Sequence, residues 1–103
     1  MNKYIIDISY HNGTVDLSKA KNYIGGVIAR CSYGWSSSNI DKQWENNAKQ
    51  ANELDIPLFA YHFCYARNEE EAKKEAKLAL RACQNHKVYV IYYDLEYSNY
   101  KVS

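Results

Sequence analysis

The residues best suited to chemistry are the acids of Tyr93-Asp94-Leu95-Glu96. Two positions apart on a strand, Asp94 and Glu96 face the same side, with Cα atoms ~6.6 Å apart. On that face they follow Val88, Val90 and Tyr92. Acids that close an apolar strand are costly unless they meet water, a metal or a partner. A carboxylate pair is what cleavage of a glycosidic bond requires. One acid protonates the leaving oxygen, and the other stabilises developing positive charge or orients the attacking group. A helix cap or a solvated strand end uses the same spacing, and spacing alone leaves the two readings level.

A third acid, Asp7, shares a strand face with Ile5 and Ser9 late in an apolar run. A lone Asp there serves a loop more often than a reaction. If the first and last strands contribute to one rim, however, three carboxylates converge, and mutual repulsion raises at least one pKa into a range useful for acid catalysis. Three such groups could also bind a hard metal ion in a hydrolase, a reading that insensitivity to chelators would remove. His62, within Tyr61-His62-Phe63, is a possible base, but a hydrogen-bonded core histidine is the commoner outcome. His11 stands in the His11-Asn12-Gly13 turn, and His86 reads as surface. Arg30, inside a strand, calls for a carboxylate partner within the barrel. Ser36, Ser37 and Ser38 read as loop. No glycine loop for phosphate is present.

The elements that must position these residues follow from the hydrophobic pattern. Four short runs, Tyr4 to Ser9, Gly26 to Tyr33, Leu58 to Tyr65 and Val88 to Leu95, are rich in β-branched and aromatic residues. They are mostly continuous, as in parallel strands buried on both faces. Three segments of helical period separate them. Asp16 caps the first, which carries Leu17, Ala20 and Ile24 and ends at Gly25-Gly26. Asp41 caps the second, with Trp44, Ala48, Ala51 and Leu54 on one stripe and Pro57 marking the return to strand. Asn68 and Glu71 form a capping box for the third, whose stripe is Ala72, Ala76, Ala79, Leu80 and Cys83. Strand, helix, strand in this order implies an α/β fold with a parallel sheet and right-handed crossovers.

Composition narrows the partners. The chain has 103 residues, enough for one small domain, and a net charge of +1 from 13 basic and 12 acidic residues. That balance gives no electrostatic case for nucleic acid or an anionic membrane, and no stretch approaches the ~20 apolar residues of a membrane span. The first ten residues lack the apolar core and cleavage site of a signal peptide. Synthesis in the cytoplasm without such a leader is therefore expected. Three cysteines, Cys31, Cys64 and Cys83, have no close spacing that suggests a zinc site or a disulfide framework. Cys64 lies near a strand end with no base beside it in sequence, so it reads as packing rather than as a nucleophile. Eleven tyrosines offer flat faces with polar tips, suited to sugar rings as well as to a core.

Taken in order, these segments resemble the Chalaropsis-type lysozymes, glycoside hydrolase family 25. The resemblance runs through Ile6-Asp7-Ile8-Ser9-Tyr10-His11-Asn12-Gly13 and Val15-Asp16-Leu17. It continues through Val27 to Gly34, then Asp41, Trp44, Asn47 and Ala51, then Tyr61 to Ala66 and Glu71-Ala72 with Glu75-Ala76. It ends on Asp94-Leu95-Glu96. It implies parallel β/α units forming the first half of a modified TIM-like (β/α) barrel, about four strands and three helices over residues 1–103. It implies cleavage of the β-1,4 bond between N-acetylmuramic acid and N-acetylglucosamine in bacterial peptidoglycan, with action at the cell wall as in phage endolysins. Glu96 would be the general acid/base, Asp94 its partner, and Asp7 a rim acid that positions substrate or tunes the pair. Tyr61 would line the sugar site, and no metal or organic cofactor is expected. The family's later strands, and the rim acid they carry, have no counterpart here. A non-catalytic half-barrel that holds cell-wall glycan through Tyr61 and Tyr33 is the alternative. The open sheet edges call for self-association or for the remaining half of the barrel.

Overall fold

The computed structural model describes residues 4–95. Glu96 lies outside them. Four parallel strands form one sheet in the order β1-β2-β3-β4. They are β1 (Tyr4–Ile8), β2 (Ile24–Tyr33), β3 (Leu58–Phe63) and β4 (Ile91–Asp94). Sequential order with parallel pairing is the strand arrangement of a barrel wall. Helix α1 (Trp44–Glu53) connects β2 to β3, and helix α2 (Glu69–Cys83) connects β3 to β4.

Only one face of this sheet is buried. Val27, Ala29 and Cys31 of β2 and Leu58, Ala60 and His62 of β3 point toward the helices and are fully buried. They meet Trp44, Ala48 and Ala51 of α1 and Ala79, Ala82 and Cys83 of α2 in one core. Trp44 closes it by donating its indole N–H to the Ala82 carbonyl at 2.7 Å, which ties the two helices together. The opposite face carries Ile5, Tyr92 and the half-buried Phe59, Tyr61 and Phe63. The continuous apolar runs suggest burial on both faces; the structure covers one, and β3 alternates accordingly.

All three helical segments differ in part from their sequence reading. Helix α1 has Gln43 at its N-cap with no side-chain hydrogen bond, and Asp41 bonds the Gln43 amide ahead of the helix instead of capping it. Asp16 does cap a turn, accepting from the Ser18 amide at 3.0 Å. That turn is a single 3-10 turn, Leu17–Lys19, which buries Leu17. Ile24 and both following glycines belong instead to β2. Tyr23 hands its carbonyl to the Tyr4 amide, so pairing with β1 captures this segment before a helix can propagate. In α2, Asn68 caps through the Glu71 amide as expected. The Glu71 carboxylate accepts from the Arg67 amide rather than from that of Asn68, so only half of the capping box forms. The buried stripe is Glu75, Leu78, Ala79, Ala82 and Cys83, so Ala72 and Leu80 face water. The helix is rotated because Glu75 has a role inside.

Candidate active site

The first group of site residues is carried on strand ends. Asp7 is the fourth residue of β1 and pairs with Ile28. Asp94 closes β4 opposite Phe63, and its carbonyl accepts from the Cys64 amide at 3.1 Å. On the open face of the sheet, Asp7, Ile28, Tyr61, Tyr92, Tyr93 and Asp94 line one hollow of ≈ 400 Å³. The C-terminal ends of parallel strands are where β/α folds place their chemistry.

The electrostatics of this hollow favour retained protons. Partial burial, and then the Asp94 carboxylate, raise the Asp7 pKa above the ordinary carboxylate value. The Tyr61 phenol is pushed up to about 12, first by burial and next by the Asp7 charge, with Arg30 opposing. Tyr61 therefore stays a hydrogen-bond donor at any working pH. Asp94→Asn removes one of the two influences on Asp7. The Asp7 carboxyl of that variant is expected to titrate at lower pH than in the parent, measured by carboxyl-carbon NMR; an unmoved or higher value would remove the coupling.

Tyr33 is not part of the hollow. Its ring lies against the Arg30 guanidinium at 4.7 Å, with Tyr10 near the same cation at 4.9 Å. Arg30 donates from Nε to Asp41 Oδ2 at 2.8 Å. The carboxylate partner thus comes from the approach to α1 rather than from a strand. Asp41 also accepts from the Tyr10 and Gln43 amides, fixing the loop after β1 against the start of α1.

His62 is a buried structural residue. Its Nδ1 meets Ser32 Oγ at 2.7 Å and its Nε2 meets Glu75 Oε1 at 2.6 Å. Burial lowers its pKa, against the pull of Glu75. A neutral ring with its proton on Nε2 donates to Glu75 and accepts from Ser32. Glu75 accepts further from the Tyr65 and Ala66 amides at 3.1 and 2.7 Å. Sequence reasoning missed Glu75; the available signal was an acid three and four residues before Leu78 and Ala79 on the same helix stripe.

Ligand atoms of His62, Cys64 and Glu75 lie within 4.8 Å of one another, and all three residues are buried. Both His62 nitrogens and both Glu75 oxygens already have protein partners. A cation there would have to displace the backbone amides that Glu75 satisfies, which is unfavourable in a buried site. Cys64 itself donates toward the His62 carbonyl at 3.8 Å. The neighbouring Cys31 and burial push the Cys83 thiol well up. A buried thiol with a raised pKa is a poor nucleophile.

The profile of Glycosyl hydrolases family 25 matches residues 6–102 of this sequence. The chain belongs to glycosyl hydrolase family 25. Among solved structures, it is similar to the modular autolysin LytC of Streptococcus pneumoniae in complex with a synthetic peptidoglycan ligand. That match has 40% identity and a TM-score of 0.81, over 91% of this chain and 22% of that one. The CTP1L endolysin matches at 28% identity and a TM-score of 0.85, over 98% of this chain and 36% of that one. The catalytic domain of endolysin ply40, from bacteriophage P40 of Listeria monocytogenes, shares the fold at 24% identity. Its TM-score is 0.81, over 100% of this chain and 52% of that domain. The family 25 chain described here thus spans about half of the ply40 domain and about a fifth of LytC. A sequence comparison with curated proteins gave no match. Among the described residues, no helix is long and apolar enough to cross a membrane.

Proposed function

We propose that residues 1–103 form the N-terminal half of a muramidase barrel, which cleaves the β-1,4 bond between N-acetylmuramic acid and N-acetylglucosamine. The observation that carries this reading is the hollow that joins Asp7 and Asp94 over the Tyr61 phenol. Family membership supports glycosidic chemistry. The peptidoglycan ligand of the LytC structure supports the choice of substrate.

In this mechanism Glu96 protonates the leaving glycosidic oxygen and later takes a proton from water. Asp94 faces the oxocarbenium-like centre or orients the N-acetyl group of the substrate. Asp7 positions the sugar and tunes Asp94, and Tyr61 donates a hydrogen bond to it. Substrate would be met at the bacterial cell wall.

The test is release of reducing ends from purified peptidoglycan by the 103-residue chain and by Glu96→Gln. Release by the parent alone supports the enzyme. A fully active Glu96→Gln protein would sink it. Exposed rings at the hollow, Tyr92 above all, favour one second reading, glycan binding without cleavage. In that case cell walls would pull the chain down regardless of Glu96, and replacing Tyr61 would abolish the pull-down.

The sheet edges bear on both readings. Tyr4 and Ile5 of β1 and Tyr92 of β4 are exposed together on the outermost strands, a combination that invites pairing. The isolated chain is expected to self-associate through β1 and β4, which light scattering at rising concentration reads directly. A strictly monomeric mass would contradict it.

A further inference from the structure

Beyond the ends of β2 and β3 lies a second depression, of ≈ 550 Å³, lined by Gly34, Trp35, Ser36, Asn39, Tyr65 and Arg67. Neither carboxylate of the first hollow contributes to it. It opens because position 34 has no side chain. A Cβ on Gly34 would stand 3.1 Å from Asn39 Nδ2 and 3.5 Å from the Tyr65 ring, and the residue holds φ at +60°. Its amide is pinned to the Phe63 carbonyl at 2.9 Å, so the floor is part of the sheet. Tyr65 keeps 44% of its surface exposed, and Trp35 is half-buried.

Arg67 defines the chemistry of this depression. Its guanidinium stands 5.4 Å from the centre of the Trp35 ring. Glu71 engages Nε at 3.4 Å and Nη2 at 3.2 Å, and also takes the Arg67 amide at 2.9 Å. The cation is thereby neutralised and held in place, and Nη1 is left for an acceptor on a ligand. A paired cation has little attraction to spare for an anion. Two aromatic faces, a side-chain amide and a neutralised guanidinium suit an uncharged ring rich in acceptors.

We propose that this depression is an accessory subsite for an uncharged amino-sugar ring of the glycan strand, lying beyond the Asp7–Asp94 hollow. The inference rests on the proposed glycan-directed function. It assigns Tyr65 and Trp35 to ring stacking and Arg67 to a hydroxyl or acetamide oxygen. Glu75 supports the site from behind, because it holds the Tyr65 and Ala66 amides.

Intrinsic fluorescence gives the test, since Trp44 is fully buried and acrylamide therefore reports on Trp35. The probes are β-1,4-linked N-acetylglucosamine disaccharide and hexasaccharide. The hexasaccharide is expected to shield Trp35 in the parent. Tyr65→Ala is expected to bind it about tenfold more weakly, the equivalent of ~1.4 kcal/mol of lost stacking. Tyr65→Phe, which keeps the ring, retains parental affinity, and far-UV circular dichroism verifies each fold. A Trp35 left unshielded at saturating hexasaccharide, or equal affinity of parent and Tyr65→Ala, overturns the subsite. The two proposals fail separately. Shielding without any release of reducing ends from peptidoglycan leaves the subsite and removes the hydrolase. Release with Trp35 unshielded does the reverse.

Discussion

Glu96→Gln is expected to lower the release of reducing ends from peptidoglycan by about 10²–10⁴-fold, the range of a lost general acid/base. Gln keeps the length and a carbonyl oxygen but has no proton to give a leaving alkoxide. The effect should fall on the rate of bond breaking, with cell-wall binding unchanged, because the contacts that hold the glycan remain. Asp94→Asn is expected to impair the same step through the loss of negative charge beside the oxocarbenium-like centre. The hollow explains why two similar acids need not act alike. Asp7 is pushed toward its protonated form by burial and by Asp94, so the acids of the hollow are not equivalent. A Glu96→Gln protein that releases reducing ends at the parental rate would transfer the acid role elsewhere and end this mechanism.

The second large effect is on stability. Glu75→Ala should cost about 3 kcal/mol or more, because one carboxylate is the acceptor for several inward-facing donors at once. The side chain is 2% exposed. Its loss strands the His62 Nε2–H and the Tyr65 and Ala66 amides, each an unsatisfied buried donor worth about 1–3 kcal/mol. Against the ~5–15 kcal/mol of a typical domain, such a loss leaves much of the chain unfolded at ambient temperature. Glu75→Gln keeps one acceptor oxygen and should cost less. Urea unfolding followed by circular dichroism measures both. A Glu75→Ala protein within about 1 kcal/mol of the parent would mean that water replaces the carboxylate, and the buried network would lose its structural role. The same substitution should also disturb the Tyr65 and Arg67 depression, since Glu75 fixes the backbone that presents them.

The sequence alone determined the order of the four strands and of the two helices that follow β2 and β3, because burial against helices requires apolar runs of strand length alternating with amphipathic segments. It also determined the caps at Asp16 and Asn68, which are local hydrogen bonds between neighbours in the chain. Asp7 and Asp94 stood out as candidate site residues because an acid late in an apolar strand demands an explanation. Their meeting in one hollow depends on parallel pairing across four strands, which no local signal encodes. Tertiary structure decided the rest wherever a partner was distant. Pairing with β1 drew Ile24 to Gly26 out of a helix and into β2. Arg30 found Asp41 ahead of α1, which set Tyr33 on the guanidinium and away from the Asp7–Asp94 hollow. Glu75 turned the stripe of α2 inward, because a buried imidazole and two loop amides across the fold needed an acceptor. Such choices follow from satisfying buried polar groups in three dimensions, and periodicity along the chain does not record them.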